Sequence, residues 1–190
     1  VVEVKGGGRR VNHRHHVLIG AAAGLGYAAG QGLPGWQCLV SAWLAGLAGP
    51  APDVDSRRWW KRLDRLLPDE WLGHGGPLQH RGLTHWWVLP ALGWAVAARE
   101  APTAWWVFAV LAGWISHVAG DLVFGQANRY AHRGPGVPLG PWFWHVGVGL
   151  KSGGRTETVL APVLAAAGAG WAVVTLAGAW PLIHQLASTR

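Results

Sequence analysis

An apolar run that begins near Thr103 closes on Gly113-Trp-Ile-Ser-His117-Val-Ala-Gly-Asp121. This stretch constrains the fold more than any other, because it is apolar enough to cross a membrane and yet ends on two ionisable side chains. As a helix it places His117 and Asp121 one turn apart on one face. An imidazole and a carboxylate at that spacing can hold one metal ion from a single rigid element. An ionisable group in such a segment is costly and is by default a sign of function. The plainer alternative is a buried His–Asp hydrogen bond that ties the helix to a neighbour.

Four further apolar runs fall at 17–33, 36–48, 86–98 and 159–183. At about 1.5 Å per residue, the first reaches roughly 25 Å, a short but workable span. Pro34-Gly35 makes a turn, so the first two runs form a helical hairpin. It is built largely from Ala, Gly and Leu, whose small members allow close helix contact in lipid. Gly49-Pro-Ala-Pro-Asp53-Val-Asp55-Ser ends the hairpin, because two prolines in three residues stop a helix. Residues 56–67 then read as an amphipathic helix, with Trp59, Trp60, Leu63, Leu66 and Leu67 on one side and Arg57, Arg58, Lys61, Arg62 and Arg65 mostly on the other. Such a helix suits an anionic membrane surface. His80-Arg-Gly-Leu-Thr-His85 opens the third run, and 125–157 form a long polar and aromatic loop. The expected fold is all-α: a polytopic membrane helical bundle of about five spans with an interfacial amphipathic helix. Residues 1–14 read as a basic, mobile leader, and 15–190 as a single membrane-embedded domain.

Composition agrees with this layout. Half the chain is hydrophobic (51%), 29 residues are Gly, 15 are Trp, and only 13% are charged, which fits a membrane protein better than a soluble enzyme. Cys38 is the single cysteine, so there is neither a disulfide framework nor a thiolate cluster. A metal would be held by nitrogen and oxygen. The net charge of +7 is compatible with nucleic acid or anionic lipid, and its distribution favours lipid. With the N-terminus inside, the leader and the 49–82 and 125–157 loops carry 14 of the 16 Lys and Arg residues, leaving only Arg99 and Arg190 outside. That is a strong positive-inside bias. It places the chain in a plasma membrane as a multi-pass protein facing the anionic cytoplasmic leaflet. No base-stacking module is recognisable, which argues against nucleic acid as the partner.

The same layout brings His16, Asp53, Asp55, His80, His85, His117 and Asp121 to the cytoplasmic side, at the ends of four helices. Carboxylates and imidazoles without Cys suit two or more Zn²⁺ or Mn²⁺ ions better than one structural zinc. Such a site activates water and clamps a phosphoryl group under attack. Each residue alone also has a plain explanation: Asp55 can cap the following helix, and His16, His80 or His85 can bond a helix end.

The elements His16-Val-Leu-Ile-Gly, Pro52-Asp53-Val-Asp55, His80-Arg-Gly-Leu-Thr-His85, Ser116-His117-Val-Ala-Gly-Asp121 and Gly136-Val-Pro-Leu resemble the bacterial inner-membrane family of membrane-bound, metal-dependent hydrolases, some of them LexA-regulated. The resemblance covers about residues 15–160, in the family's order and spacing. It implies a polytopic helical protein with a hydrolase site, distantly akin to zinc-dependent phospholipase C and single-strand nucleases. The matching metal positions are His16, Asp53, Asp55, His80, His85, His117 and Asp121, with Glu157 at a later acidic position. The chain departs from the pattern where Ala51 precedes the Pro, where Trp86 follows His85, and where Gly149 stands four residues after His145.

The expected function is a membrane-bound metal-dependent hydrolase of phosphoesters such as lipid head groups, acting through metal-activated water. Asp53 or Asp55 would accept the proton, and Arg81 would pair with the phosphate. The alternative is a non-catalytic metal-binding membrane protein, a transporter or sensor. It is disfavoured because the ionisable residues gather at one end of the spans. A soluble all-helical enzyme with unusually apolar helices is the third reading.

Overall fold

The computed structural model describes residues 13–56, 82–124, 137–138, 145–148 and 155–176. Five α-helices make up most of them: α1 (His13–Gly30), α2 (Gly35–Ala48), α3 (Val88–Glu100), α4 (Trp105–Phe124) and α5 (Arg155–Leu176). Two 3-10 turns, Ala51–Ser56 and Leu83–His85, lie between α2 and α3. A two-residue antiparallel pair, β1 (Val137–Pro138) with β2 (His145–Val146), follows α4. The all-helical bundle expected from the sequence is therefore present. The amphipathic helix at 56–67, nearly all of the leader and the first part of the His80-to-His85 element lie outside the described residues.

Helix ends differ from the apolar runs for a physical reason. Backbone hydrogen bonds propagate through polar residues as readily as apolar ones, so α1 already includes His13, four residues before its apolar run. At its other end the chain is turned by Gly32, not by Pro34-Gly35. Gly32 has φ +67°, and its N–H donates to the Ala29 carbonyl while that of Leu33 donates to Ala28, both at 3.0 Å. This is the paired bonding of a Schellman cap, in which glycine adopts the left-handed conformation without a Cβ penalty. Pro34 then stands at the N-cap of α2, with its fixed φ of −55° leading into the helix.

α1 packs against α2, α4 and α5, and α2 also packs against α4, whereas α3 leans mainly on α4. The first two helices approach so closely that a Cβ on Gly24 would run into the backbone of Ser41. Gly113 of α4 meets Ala45 of α2 in the same way, with the Ala45 Cα 2.8 Å from where a Cβ would sit. Small residues thus set the spacing of α1, α2 and α4. Away from that seam, Tyr27, Trp94 and Phe108 form an aromatic knot joining α1, α3 and α4, with ring centroids 5.0–5.9 Å apart.

Large and small side chains are distributed in reverse of a soluble core. Among the described residues the largest fully buried side chains are His85, His117, Pro90, Cys38 and Ser41, and the buried apolar set is mostly alanine. Trp36, Leu39, Trp43 and Leu47 line one outer face of α2 and are each more than half exposed. Leu92 and Val96 of α3, with Val163, Leu164 and Val173 of α5, do the same elsewhere. A water-soluble monomer seldom carries apolar surface on this scale. Among the described residues α4 is the helix long and apolar enough to cross a membrane, with a hydropathy of 1.7 over its best window.

Candidate metal centre

Four separate elements deliver five ionisable side chains to one buried point. His16 comes from the first turns of α1, Asp53 from the 3-10 turn after α2, His85 from the second 3-10 turn, and His117 with Asp121 from α4. All five are buried, His85 and His117 almost completely. Their positions follow from local rules. The Pro50 and Pro52 break turns the chain sharply at the end of α2 and leaves Asp53 facing back into the bundle. On α4 the four-residue spacing stacks His117 above Asp121 on the face turned toward α1 and the turns.

The nitrogens and oxygens converge. His85 Nε2 lies 3.1 Å from His117 Nε2, 3.4 Å from Asp53 Oδ1 and 3.5 Å from Asp121 Oδ2. His117 Nε2 lies 3.7 Å from Asp53 and 3.9 Å from Asp121. The ring of His16 lies against that of His117, tilted by 34° with centroids 4.1 Å apart. Two sets of three, His16–Asp53–His117 and His85–His117–Asp121, each offer ligand atoms within 4.8 Å of one another.

A neutral imidazole keeps one ring nitrogen as a lone-pair donor, so facing ring nitrogens beside two carboxylates form a set rich in donor atoms. Buried charge of one sign is costly without a partner. Burial by itself would raise the Asp53 carboxyl. The hydrogen bond from His85, with the positive charge that His117, His85 and His16 carry when protonated, outweighs it and holds the group well below the usual carboxylate range. An ionised carboxylate beside converging ring nitrogens is a donor set that fits a divalent cation. His117 serves both sets of three, and one ring nitrogen has one lone pair, so the two sets do not bind separate ions through the same atom.

Two supporting residues were not singled out from the sequence. Thr84 Oγ1 lies 3.0 Å from His85 Nδ1. When His85 turns the Nε2 lone pair toward the cluster, its Nδ1–H donates to the Thr84 hydroxyl, which fixes both tautomer and ring orientation. The indole N–H of Trp114 donates to the Thr84 carbonyl at 2.8 Å, anchoring the turn to α4. Trp114 sits in an apolar run, where nothing in the sequence separates a hydrogen-bonding Trp from a lipid-facing one. Thr84 could have been noticed as the neighbour of His85.

Of the remaining sequence-derived positions, Asp55 lies in the same 3-10 turn as Asp53 and Glu157 in the first turn of α5, both placed by backbone alone. His80 and Arg81 lie outside the described residues. His145 stands in β2, paired with Pro138.

The model of the YdjM inner membrane protein family matches residues 11–184. No curated protein and no solved structure matches the chain. The match spans nearly the whole sequence, and the chain belongs to this family of inner membrane proteins.

Proposed function

We propose that this YdjM-family protein is a multi-pass, metal-dependent hydrolase of phosphoesters, with lipid head groups as the natural substrate class. The observation that carries the reading is the convergence of the His85 and His117 Nε2 atoms, 3.1 Å apart, with Asp53 and Asp121 oxygens within 3.5 Å of the former. His16, Asp53, His85, His117 and Asp121 would hold the first divalent ion, Zn²⁺ or Mn²⁺. A second ion would draw on Asp55, His80 and Glu157. When bound, such ions supply Lewis acidity and lower the pKa of water toward neutrality. The chain's own part is to fix the donors, keep bulk water out and accept the proton. Asp55, two residues beyond Asp53, is the candidate acceptor, and Arg81 the candidate partner of the phosphate.

The apolar exterior of α2, α3 and α5, together with the inner-membrane family, supports several spans in addition to α4. The Lys and Arg distribution supports a cytoplasmic N-terminus and a site at the cytoplasmic interface. The near-complete burial of His85 and His117 favours a second reading, metal binding without turnover. Detergent-purified protein supplied with Zn²⁺ or Mn²⁺ separates the two. Hydrolysis of bis-p-nitrophenyl phosphate or phosphatidylglycerol that is lost in Asp53→Asn supports the hydrolase. Stoichiometric metal with no hydrolysis of any phosphoester supports the second reading.

A further inference from the structure

A cavity of about 450 Å³ lies between α1, α4 and α5, open along one side. Ala23 and Gly26 of α1, Gly120 and Val123 of α4, and Leu164 and Gly168 of α5 are among its walls. It is apolar almost throughout. The one hydroxyl in its lining, Ser116, is already committed, since its Oγ donates to the Gly113 carbonyl at 2.7 Å.

This groove shares a wall with the metal-ligand cluster. Gly120 sits between His117 and Asp121 on α4, and the His16 ring lies against it, with Cε1 3.6 Å from where a Cβ would stand. One side of Gly120 therefore touches the cluster, and the residue also lines the groove. From Ser116 to Phe124 the α4 wall runs eight residues, about 12 Å. The groove's lining offers no partner for a polar ligand. A narrow apolar slot in an inner membrane protein, ending beside a cluster of metal ligands, matches an acyl chain with a polar head.

We infer that the groove between α1, α4 and α5 takes one acyl chain of a membrane lipid and so holds the head group of that lipid at the His16 edge of the cluster. The inference rests on the phosphoesterase reading only for what happens to the head group; occupation of the groove is independent of it. The substrate class is then an amphiphilic phosphoester presented from within the bilayer, not a soluble one.

The test uses the full chain in vesicles of phosphatidylethanolamine and phosphatidylglycerol, doped with a phosphatidylglycerol that carries a diazirine near the end of one acyl chain. After illumination, adducts are mapped by peptide mass spectrometry, and metal content is measured on the same samples. Ala23, Gly26 and Ser116, which line the groove on the side away from the cytoplasmic end of α4, should be labelled in preference to Leu39 and Trp43, which lie on the exposed face of α2. A Cβ at Gly26 or Gly30 meets nothing within 4 Å, so both accept a larger side chain, but only Gly26 lines the groove. Gly26→Leu and Ala119→Leu should lower groove labelling about tenfold, and Gly30→Leu should leave it unchanged. Labelling spread evenly over α2 and the groove, or unaltered in both filling variants, would overturn the inference. Preferential groove labelling in protein that binds no metal would uphold the lipid site and remove the phosphoesterase reading. Full metal content with even labelling would do the reverse.

Discussion

The Nε2 atoms of His85 and His117 face each other at 3.1 Å across buried space, although 32 residues separate them along the chain. One nitrogen is carried on a three-residue 3-10 turn and the other on a 20-residue helix. The pairing therefore depends on whatever holds that turn against that helix.

The hold is supplied by Thr84 and Trp114. Thr84→Val removes the hydroxyl that orients the His85 ring, and Trp114→Phe removes the indole donor to the Thr84 carbonyl. Each should weaken Zn²⁺ binding about 10- to 100-fold, the usual effect of losing a group that orients a ligand. Competition titration with a zinc-sensitive dye reads the change. Thermal unfolding of the metal-free variants should move little, as expected for the loss of about 1 kcal/mol per neutral hydrogen bond. Equal losses of affinity and of unfolding temperature would instead assign these residues to general packing.

Two glycines should respond oppositely to the same change. Gly113→Ala drives a methyl against the backbone of Ala45, where neither helix can yield by moving a side chain. A cost of about 1–3 kcal/mol is expected from such overpacking. Gly26→Ala places its methyl in open space and should stabilise the helix by up to about 1 kcal/mol. Unfolding of both variants in one detergent, followed by circular dichroism, gives the comparison. Similar shifts in the two would contradict the close α2–α4 seam.

Ser41 offers a third test. Its side chain is fully buried on α2, and its Oγ has no hydrogen-bond partner among the described residues. An unpaired buried hydroxyl costs roughly 1–3 kcal/mol. Ser41→Ala should accordingly leave unfolding unchanged or raise its midpoint. A marked loss of stability would show that the hydroxyl is satisfied by a group beyond those described.

Much of the site was legible because it is written in local spacing. His117 and Asp121 share a helical face by periodicity alone, and the double proline around Asp53 announces a helix end. What periodicity could not choose was the inward histidine of α1. His13, His15 and His16 stand together at its start, and His13, seven residues before Gly20, is as close in phase as His16 to the glycines that lie against α2. Only the packed bundle identifies His16, whose buried ring lies against that of His117. Helix ends were less legible. Apolar runs report which residues meet lipid or core, whereas the end of α1 is set by the left-handed Gly32. The link from Trp114 to Thr84 spans 30 residues, a relation that exists only once α4 and the turn have packed.

The central claim is that these five side chains form a metal site. The most direct measurement is elemental analysis of detergent-purified protein, prepared without chelator and resupplied with Zn²⁺ and Mn²⁺. Wild type should be compared with the His117→Ala/Asp121→Ala double variant, and with circular dichroism confirming that both retain their helices. The account predicts at least one equivalent of zinc or manganese in the wild type, a second where Asp55, His80 and Glu157 complete another site, and loss of the cluster's metal in the variant. A folded wild type that retains no metal would contradict it, leaving the histidines and aspartates as a polar network that packs the helices together.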